Sequence, residues 1–176
     1  MTSTEGTTTT RRRIVVGVDG SESSLAALRW AVCQAELTGA PLEAVSAWEW
    51  PVTYSGWETP TPPDYDPADE AQRQLDKALS AVLTPGDAIE VRRSVIEGHA
   101  APVLEALSKS ADLVVVGSHG HGEFVGMLLG SVSEHCVTHC HCPVVVIRGE
   151  TQPRSRRPRG VGLKPAASSA CASGES

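Results

Sequence analysis

The sequence lacks any apolar run close to the roughly 20 residues that a membrane-spanning helix needs. Residues 1–10 are rich in threonine and contain no apolar segment that could serve as a secretory signal or an anchor. We therefore expect a cytoplasmic protein without a membrane partner. Its 176 residues, 40% of them hydrophobic and 20% charged, suit one globular domain with a full core.

Lysine and arginine are scarce in the central part of the chain. Residues 14–149 contain 7 of these basic residues against 18 aspartates and glutamates, although the net charge of the whole chain is only −6. A protein that binds duplex nucleic acid needs a basic face that displaces counterions from the phosphates. The composition therefore argues against a nucleic-acid partner.

Cysteine is present in an odd number, and nothing places the five residues in an oxidising compartment. We therefore expect reduced thiols and no disulfide framework. Three cysteines and three histidines cluster at residues 135–142, where His135 and His139 share one helix face at i, i+4. A structural zinc site needs four converging ligands, and such a pair on one helix face supplies only two. The favoured interpretation is therefore that Cys136 and Cys140 pack as small apolar side chains, and metal binding is the alternative.

The two ends of the chain contain no apolar stripe that a core could bury. Residues 1–11 and 150–176 are therefore predicted to be disordered tails, and the second tail is weakly basic. Residues 12–149 between them predict one domain. Within it, residues 49–67 contain five prolines and no hydrophobic period, which indicates a long loop that is a lid, a contact surface or simply mobile.

Short β-branched runs alternate in the domain with stretches whose apolar residues recur at helical spacing. Strands are predicted at residues 14–18, 42–48, 89–96, 113–117 and 143–148, and helices at 23–38, 67–84, 101–110 and 131–140. This alternation predicts an open parallel α/β sheet with helices on both faces. Ligands of such sheets bind outside the carboxyl ends of the strands, where the strand order reverses.

A glycine-rich stretch, residues 117–131, joins the fourth predicted strand to the last helix. Backbone N–H groups of such a loop can surround an anion, because glycine has no Cβ and the helix dipole favours negative charge. The two common phosphate fingerprints are excluded. No lysine occurs between Lys109 and Lys164, as a P-loop would require, and Val125 stands where the dinucleotide pattern needs a glycine.

Three separated motifs nevertheless occur in an order that matches one family. They are residues 16–21, Val-Gly-Val-Asp-Gly-Ser; the spacing Gly117, two residues, Gly120, nine residues, Gly130-Ser131; and residues 142–148, Cys-Pro-Val-Val-Val-Ile-Arg. The chain resembles the universal stress protein family, in its ATP-binding branch. The resemblance implies a five-stranded, Rossmann-like sheet of order 3-2-1-4-5, related to the adenine nucleotide alpha hydrolases. It also implies a homodimer paired through the last strand, from Val144 to Arg148.

The resemblance further implies a site for ATP or another adenine nucleotide with Mg²⁺. Asp19 would lie near the ribose and, through the nucleotide, near the metal ion, and Gly17 and Ala47 would lie near the adenine. The residues expected around the phosphates belong to the glycine-rich loop and the helix that follows it: Gly117, His119, Gly120, His121, Gly122, Gly130, Ser131, Val132 and Ser133.

Several of these residues also have a plain structural interpretation. Ser131 stands where a helix N-cap belongs, so its hydroxyl could satisfy its own helix or donate to a phosphate. Asp19 is followed by glycine and could be only a turn former. Family members often carry arginine in the phosphate loop, whereas here His119 and His121 take that region. Adenine-nucleotide affinity should then rise at mildly acid pH, unless these imidazoles are merely solvated.

The sequence favours binding over catalysis. It contains no Gly-x-Ser-x-Gly elbow, no close carboxylate pair flanking the loop, and no loop cation that could stabilise a transferring phosphoryl group. We therefore expect a nucleotide-binding stress-response regulator with at most slow hydrolysis. Two alternatives stay open: a slow ATPase or phosphoryl-transfer enzyme that uses Asp19 and Mg²⁺, and a dimeric interaction module whose pocket is empty or holds AMP or cyclic AMP. The module would use the loop bearing Trp48, Trp50, Tyr54 and Trp57 as its contact surface.

Overall fold

A computed structural model describes residues 13–50, 65–84, 88–120 and 129–149. Strands and helices alternate through these ranges, as the hydrophobic pattern predicts. In chain order they are β1 (Ile14–Gly17), α1 (Glu22–Thr38), β2 (Leu42–Trp48), α2 (Pro67–Val82), β3 (Val91–Glu97), α3 (Ala100–Ser108), β4 (Leu113–Gly117), α4 (Ser131–His139) and β5 (Val144–Ile147).

The five strands form one parallel sheet in the order β3-β2-β1-β4-β5. This order confirms the predicted fold. The chain moves from β1 outward to β2 and β3, and then returns to the other side of β1 for β4 and β5. Strand order therefore reverses between β1 and β4, which is where open α/β sheets form a crevice at their carboxyl edge.

Both faces of the sheet are covered by helices, and successive side chains of each strand point to opposite faces. One face buries Val16, Leu42 and Val115 against α1 and α2. The other buries Val15 and Val114 against the shorter helices α3 and α4. Burial on both faces explains why β1 and β4 are nearly continuous apolar runs, without polar alternation.

The helix ends follow from local capping chemistry. The Ser21 side chain accepts a hydrogen bond from the Ser24 N–H and starts α1, which ends at Gly39 in the left-handed conformation with φ of 67°. The Asp66 carboxylate accepts a hydrogen bond of 2.8 Å from the Ala68 N–H and starts α2. None of the helices in the described ranges has the length and apolar character to span a bilayer.

Several predicted boundaries shift by one or two residues, as helix and strand ends commonly do. β3 begins at Val91 rather than two residues earlier, because its ladder with β2 begins where Val91 pairs with Leu42. β5 is shorter than predicted at both ends, so that Pro143 precedes it and Arg148 follows it. The predicted tails, residues 1–11 and 150–176, lie outside the described residues.

A buried ion pair links the residue before β1, the strands β2 and β3, and the α3–β4 connection. Arg13 Nη1 donates to Glu43 Oε2 at 2.6 Å, and Arg13 Nη2 donates to Ser110 Oγ at 2.7 Å. The second carboxylate oxygen of Glu43 accepts a hydrogen bond of 2.7 Å from Ser94 Oγ on β3. Glu43 is only 4% exposed, so this network satisfies a charge that the sheet would otherwise bury alone.

Candidate functional site

A cavity of about 400 Å³ opens at the carboxyl edge of the sheet, at the point where the strand order reverses. It lies between the ends of β1, β2 and β4 and the first turns of α3 and α4. Ten of the twelve predicted site residues line it: Gly17, Asp19, Ala47, Gly117, His119, Gly120, Gly130, Ser131, Val132 and Ser133. The other two, His121 and Gly122, lie outside the described residues.

A second cavity, of about 560 Å³, lies at the opposite, amino-terminal edge of the sheet. It is larger, but its surroundings suit an anion poorly. The last turn of α1 contributes Glu36 and Thr38 to its wall, and helix carbonyl ends carry partial negative charge. Glu90 and Asp112 add further carboxylates. The cavity at the carboxyl edge is therefore the better candidate for a phosphate-bearing ligand.

Asp19 is held in place by the turn that follows β1. Its Oδ1 accepts hydrogen bonds from the Ser21 N–H at 3.0 Å and from the Ser21 hydroxyl at 2.6 Å. A Cβ on Gly120 would lie 2.7 Å from Oδ2 of the same carboxylate, so the glycine permits this close approach. Asp19 therefore organises the turn, as the Asp-Gly pair predicts, and it also lines the cavity.

Gly117 lies where the end of β4 crosses the first turn of α1. A Cβ at this position would come within 2.5 Å of Ser23 Oγ, 2.7 Å of the Ser23 carbonyl carbon and 2.8 Å of the Ser24 nitrogen. The Ser23 hydroxyl also donates a hydrogen bond to the His119 carbonyl. The glycine-rich loop is thus attached directly to the helix that begins after β1.

The start of α4 has no side-chain cap. Gly130 is the N-cap, and its N–H donates to the Ser118 carbonyl at 2.6 Å. Ser131 is the first helical residue, so its prediction as N-cap is wrong by one position. The reason is that the Ser118 contact fixes Gly130 outside the helix, whose first backbone bond runs from the Glu134 N–H to the Gly130 carbonyl at 2.9 Å.

This uncapped helix start leaves several donors at the cavity. The N–H groups of the first helical turn have no acceptor within the helix. They belong to Ser131, Val132 and Ser133, which all line the cavity. The Ser133 hydroxyl lies 3.0 Å from the Ser118 carbonyl and 2.9 Å from that of Gly130, so only its backbone remains for a ligand. The exposed Ser131 hydroxyl is the side-chain donor at this end.

The opposite end of the cavity is apolar, and α3 contributes to it. Val45 and Ala47 of β2 and Leu104 of α3 form this wall, and the first residue of α3, Ala100, lies at its rim. A Cβ on Gly17 would lie 3.0 Å from Leu104 Cδ1, so this glycine lets α3 pack closely over β1. Leu104 and Glu134 are lining residues that the sequence did not reveal, because helical periodicity does not show which residues reach the cavity.

The sequence profile of the universal stress protein family matches residues 10–148 of the chain. The chain belongs to the universal stress protein family. A universal stress protein of Mycobacterium tuberculosis H37Rv is 36% identical over 148 residues, which are 83% of this chain and 52% of that protein. The chain thus spans about half the length of this relative.

Solved structures of universal stress proteins share the fold. One is described as a universal stress protein in complex with cAMP; it is 25% identical, covers 77% of this chain and 95% of its own, and superposes with a TM-score of 0.55. Another is UspA from Lactobacillus plantarum, which is also 25% identical, covers 78% of this chain and 98% of its own, and has a TM-score of 0.60.

The histidine and cysteine cluster of this universal stress protein connects α3 with α4. His135 Nε2 lies 2.7 Å from Glu105 Oε2, and this hydrogen bond is the main reason why the pKa of Glu105 is below its usual value. The His135 ring stacks on that of His139 with centroids 4.3 Å apart. Cys136 is fully buried, and the loss of solvation raises the pKa of its thiol to about 12. Its predicted role as a small apolar side chain is confirmed.

Two other expectations concern metal binding and the aromatic loop. Within the described ranges, no three His, Cys, Asp or Glu side chains are grouped so that they could hold a metal ion. Trp48 and Trp50 meet edge to face with ring centroids 5.8 Å apart, and Trp50 is 56% exposed. Tyr54 and Trp57 lie outside the described residues.

Proposed function

We propose that this universal stress protein is a stress-response regulator that binds an adenine nucleotide, ATP among them, in the cavity at the carboxyl edge. The observation that carries the proposal is the uncapped start of α4, which presents N–H donors to a cavity whose opposite wall is apolar. Such an arrangement suits a ligand with a phosphate at one end and an aromatic base at the other. The cAMP complex of the similar family member supports this choice of ligand.

The proposed orientation places the base between β2 and α3. Ala47 and Leu104 offer apolar surface to the adenine, and the phosphate lies against the amides of Ser131 to Ser133. In this orientation Asp19 lies between the adenine and the phosphate, where it can accept a hydrogen bond from a ribose hydroxyl. Its carboxylate oxygens are also the kind of ligand that Mg²⁺ prefers, so Asp19 is the residue that would approach a nucleotide-bound Mg²⁺.

We further propose that binding, with at most slow hydrolysis, is the activity of this site. Fast phosphoryl transfer uses cations that neutralise charge on the transferring group. No lysine or arginine is present among the cavity residues that the structure describes. The nucleotide would then regulate the protein because the bound and unbound states of the protein differ, and not because the nucleotide is hydrolysed quickly.

The proposed assembly is a homodimer that pairs its β5 strands. β5 is an edge of the sheet, and all four of its residues, Val144–Ile147, are only partly buried. An edge strand leaves one row of N–H and C=O groups outside the sheet, which a second copy of the strand can take up. The partly exposed valines beside them support such pairing.

Filling the apolar end of the cavity tests the proposed ligand. Ala47→Leu places added methyl groups where the adenine would lie, so we expect the affinity for adenine nucleotides to fall by at least about tenfold in isothermal titration calorimetry. Ala88→Leu, which adds the same atoms beside the amino-edge cavity, is the matched control and should change affinity less than about twofold. Equal losses in the two variants, or unimpaired binding to Ala47→Leu, would count against the proposed position of the base.

A further inference from the structure

Ser23, in the first turn of α1, is enclosed between the ends of two strands. On one side it meets the end of β4, where a Cβ on Gly117 would lie 2.5 Å from the Ser23 Oγ. On the other side it meets the chain just beyond β5, where a Cβ on Gly149 would lie 3.2 Å from both the Ser23 nitrogen and its Cα. Ser23 is only 7% exposed, so packing restricts the directions that its hydroxyl can take.

The hydroxyl of Ser23 donates a hydrogen bond to the carbonyl of His119 in the glycine-rich loop. The Ser21 hydroxyl also lies near this carbonyl, at 3.4 Å, but it lies 2.6 Å from Asp19 Oδ1. A serine hydroxyl has one hydrogen to donate, and a carboxylate is the stronger acceptor. Ser21 is therefore occupied by Asp19, and Ser23 is the hydroxyl that holds the His119 carbonyl.

This hydrogen bond also determines the direction of the Gly120 N–H. The carbonyl of His119 and the N–H of Gly120 belong to one planar peptide group, and in a trans peptide they point in opposite directions. No cis peptide occurs in the described ranges. With its carbonyl directed at α1, the group directs the Gly120 N–H away from α1. The Gly120 nitrogen would lie 3.8 Å from a Cβ on Gly130, so this donor lies beside the start of α4.

The Gly120 amide is suitably placed to take part in ligand binding, whereas Ser23 is not. Gly120 lines the cavity, and within the described part of the chain its N–H donates to no other group. Ser23 does not line the cavity. Any effect of Ser23 on a ligand must therefore pass through the peptide group that its hydroxyl holds.

We propose that Ser23 is a positioning residue of the nucleotide site, whose hydroxyl fixes the His119–Gly120 peptide so that the Gly120 N–H is ready to donate to the phosphate. The inference rests on the proposed function. Rotation of the peptide group would replace the N–H by a carbonyl oxygen, which carries partial negative charge and repels an anion. Ser23 prevents this rotation before the ligand arrives, so less of the binding energy is spent on ordering the loop.

Removal of the Ser23 hydroxyl from the full chain tests this role. Ser23→Ala should lower the affinity for AMP and for ATP at least about fivefold in isothermal titration calorimetry, because the peptide is no longer held. The matched control is Ser108→Ala. It removes another buried serine hydroxyl, which donates to the Glu105 carbonyl and accepts from the His141 N–H away from the cavity lining. This control should stay within about 1.5-fold of wild-type affinity. Equal losses in the two variants would overturn the inference.

Amide chemical shifts separate positioning from a general loss of stability. In Ser23→Ala, the shift of the Gly120 amide at ligand saturation should fall by at least about half, because a misdirected N–H makes a much weaker hydrogen bond. The Ser131 amide should keep its wild-type shift, since the start of α4 does not contact Ser23. A wild-type shift of Gly120 in this variant would overturn the proposed role of Ser23.

Ser23→Cys extends the test, because its thiol is a weaker donor in the same place. It should lose less affinity than Ser23→Ala. If Ser23→Ala does not fold, this variant decides: a loss of at least about twofold would support the inference, and wild-type affinity would overturn it. Wild-type protein that binds neither AMP nor ATP would contradict the proposed function and the inference together. Wild-type binding that no Ser23 variant weakens would contradict the inference alone.

Discussion

Gly117→Ala is expected to destabilise the protein by about 2–3 kcal/mol and to weaken adenine-nucleotide binding by more than about tenfold. The new Cβ would lie 2.7 Å from the Ser23 carbonyl carbon and 2.8 Å from the Ser24 nitrogen. These are backbone atoms in the first turn of α1, where the Ser21 cap and the Ser23–His119 hydrogen bond hold them. The loop must therefore move away from α1. Urea unfolding and calorimetric titration measure the two effects.

Two further glycines give a graded control for this prediction. A Cβ on Gly130 would lie 3.3 Å from both the His119 Cα and the Ser118 oxygen, so Gly130→Ala should cost less than Gly117→Ala. A Cβ on Gly39 would meet no atom within 4 Å, and its φ of 67° leaves only a backbone penalty of about 1 kcal/mol. If Gly117→Ala is no less stable than Gly39→Ala, the close crossing of β4 and α1 is not as tight as the structure shows.

Glu43→Ala is expected to have the largest effect on stability, a loss of about 3–5 kcal/mol in the free energy of unfolding. The substitution leaves the Arg13 guanidinium, whose side chain is 23% exposed, without its carboxylate partner. It also removes the acceptor of the Ser94 hydroxyl. Breaking one side of a buried ion pair costs more than the pair itself contributes, because the remaining charge stays desolvated. Urea unfolding followed by circular dichroism measures the loss.

The surface pair on α2 is the matched control for the buried one. Arg73 and Glu70 are 2.9 Å apart, but their side chains are 66% and 42% exposed. Glu70→Ala should therefore change stability by less than about 1 kcal/mol. Replacing both buried partners, in Arg13→Met with Glu43→Leu, should recover part of the loss because no unpaired charge remains. A cost for Glu43→Ala that is no greater than that of Glu70→Ala would contradict the importance of the network.

The alternation of strands and helices and the general position of the site were predictable because their signals are local. Valine-rich runs that alternate with stretches of helical hydrophobic periodicity indicate a buried parallel sheet. The glycine motif from Gly117 to Ser131 is one continuous stretch of sequence, so its spacing can be recognised directly. The resemblance to a family supplied the order 3-2-1-4-5. Ala47 was assigned on the same basis, and it does line the cavity.

Contacts between residues far apart in sequence were not predictable. Glu43 lies in β2, and the sequence gives no sign that its carboxylate meets Arg13, 30 residues away. The contact of Ser23 with His119 spans 96 residues and depends on how α1 packs beside β4. The N-cap of α4 was predicted one residue late, because serine is the commoner cap and the hydrogen bond from Gly130 to Ser118 is visible only in three dimensions.

Amide chemical shifts of isotopically labelled protein titrated with AMP test the central claim most directly, because they report both binding and its location. The amides of Gly17, Ala47, Gly120 and Ser131 should shift and saturate together, since these residues line the cavity at the carboxyl edge. The amides around the amino-edge cavity, Gly39 and Asp112 among them, should stay unchanged. Shifts confined to the amino edge, or no saturable shifts at all, would contradict an adenine-nucleotide site at the reversal point of the sheet.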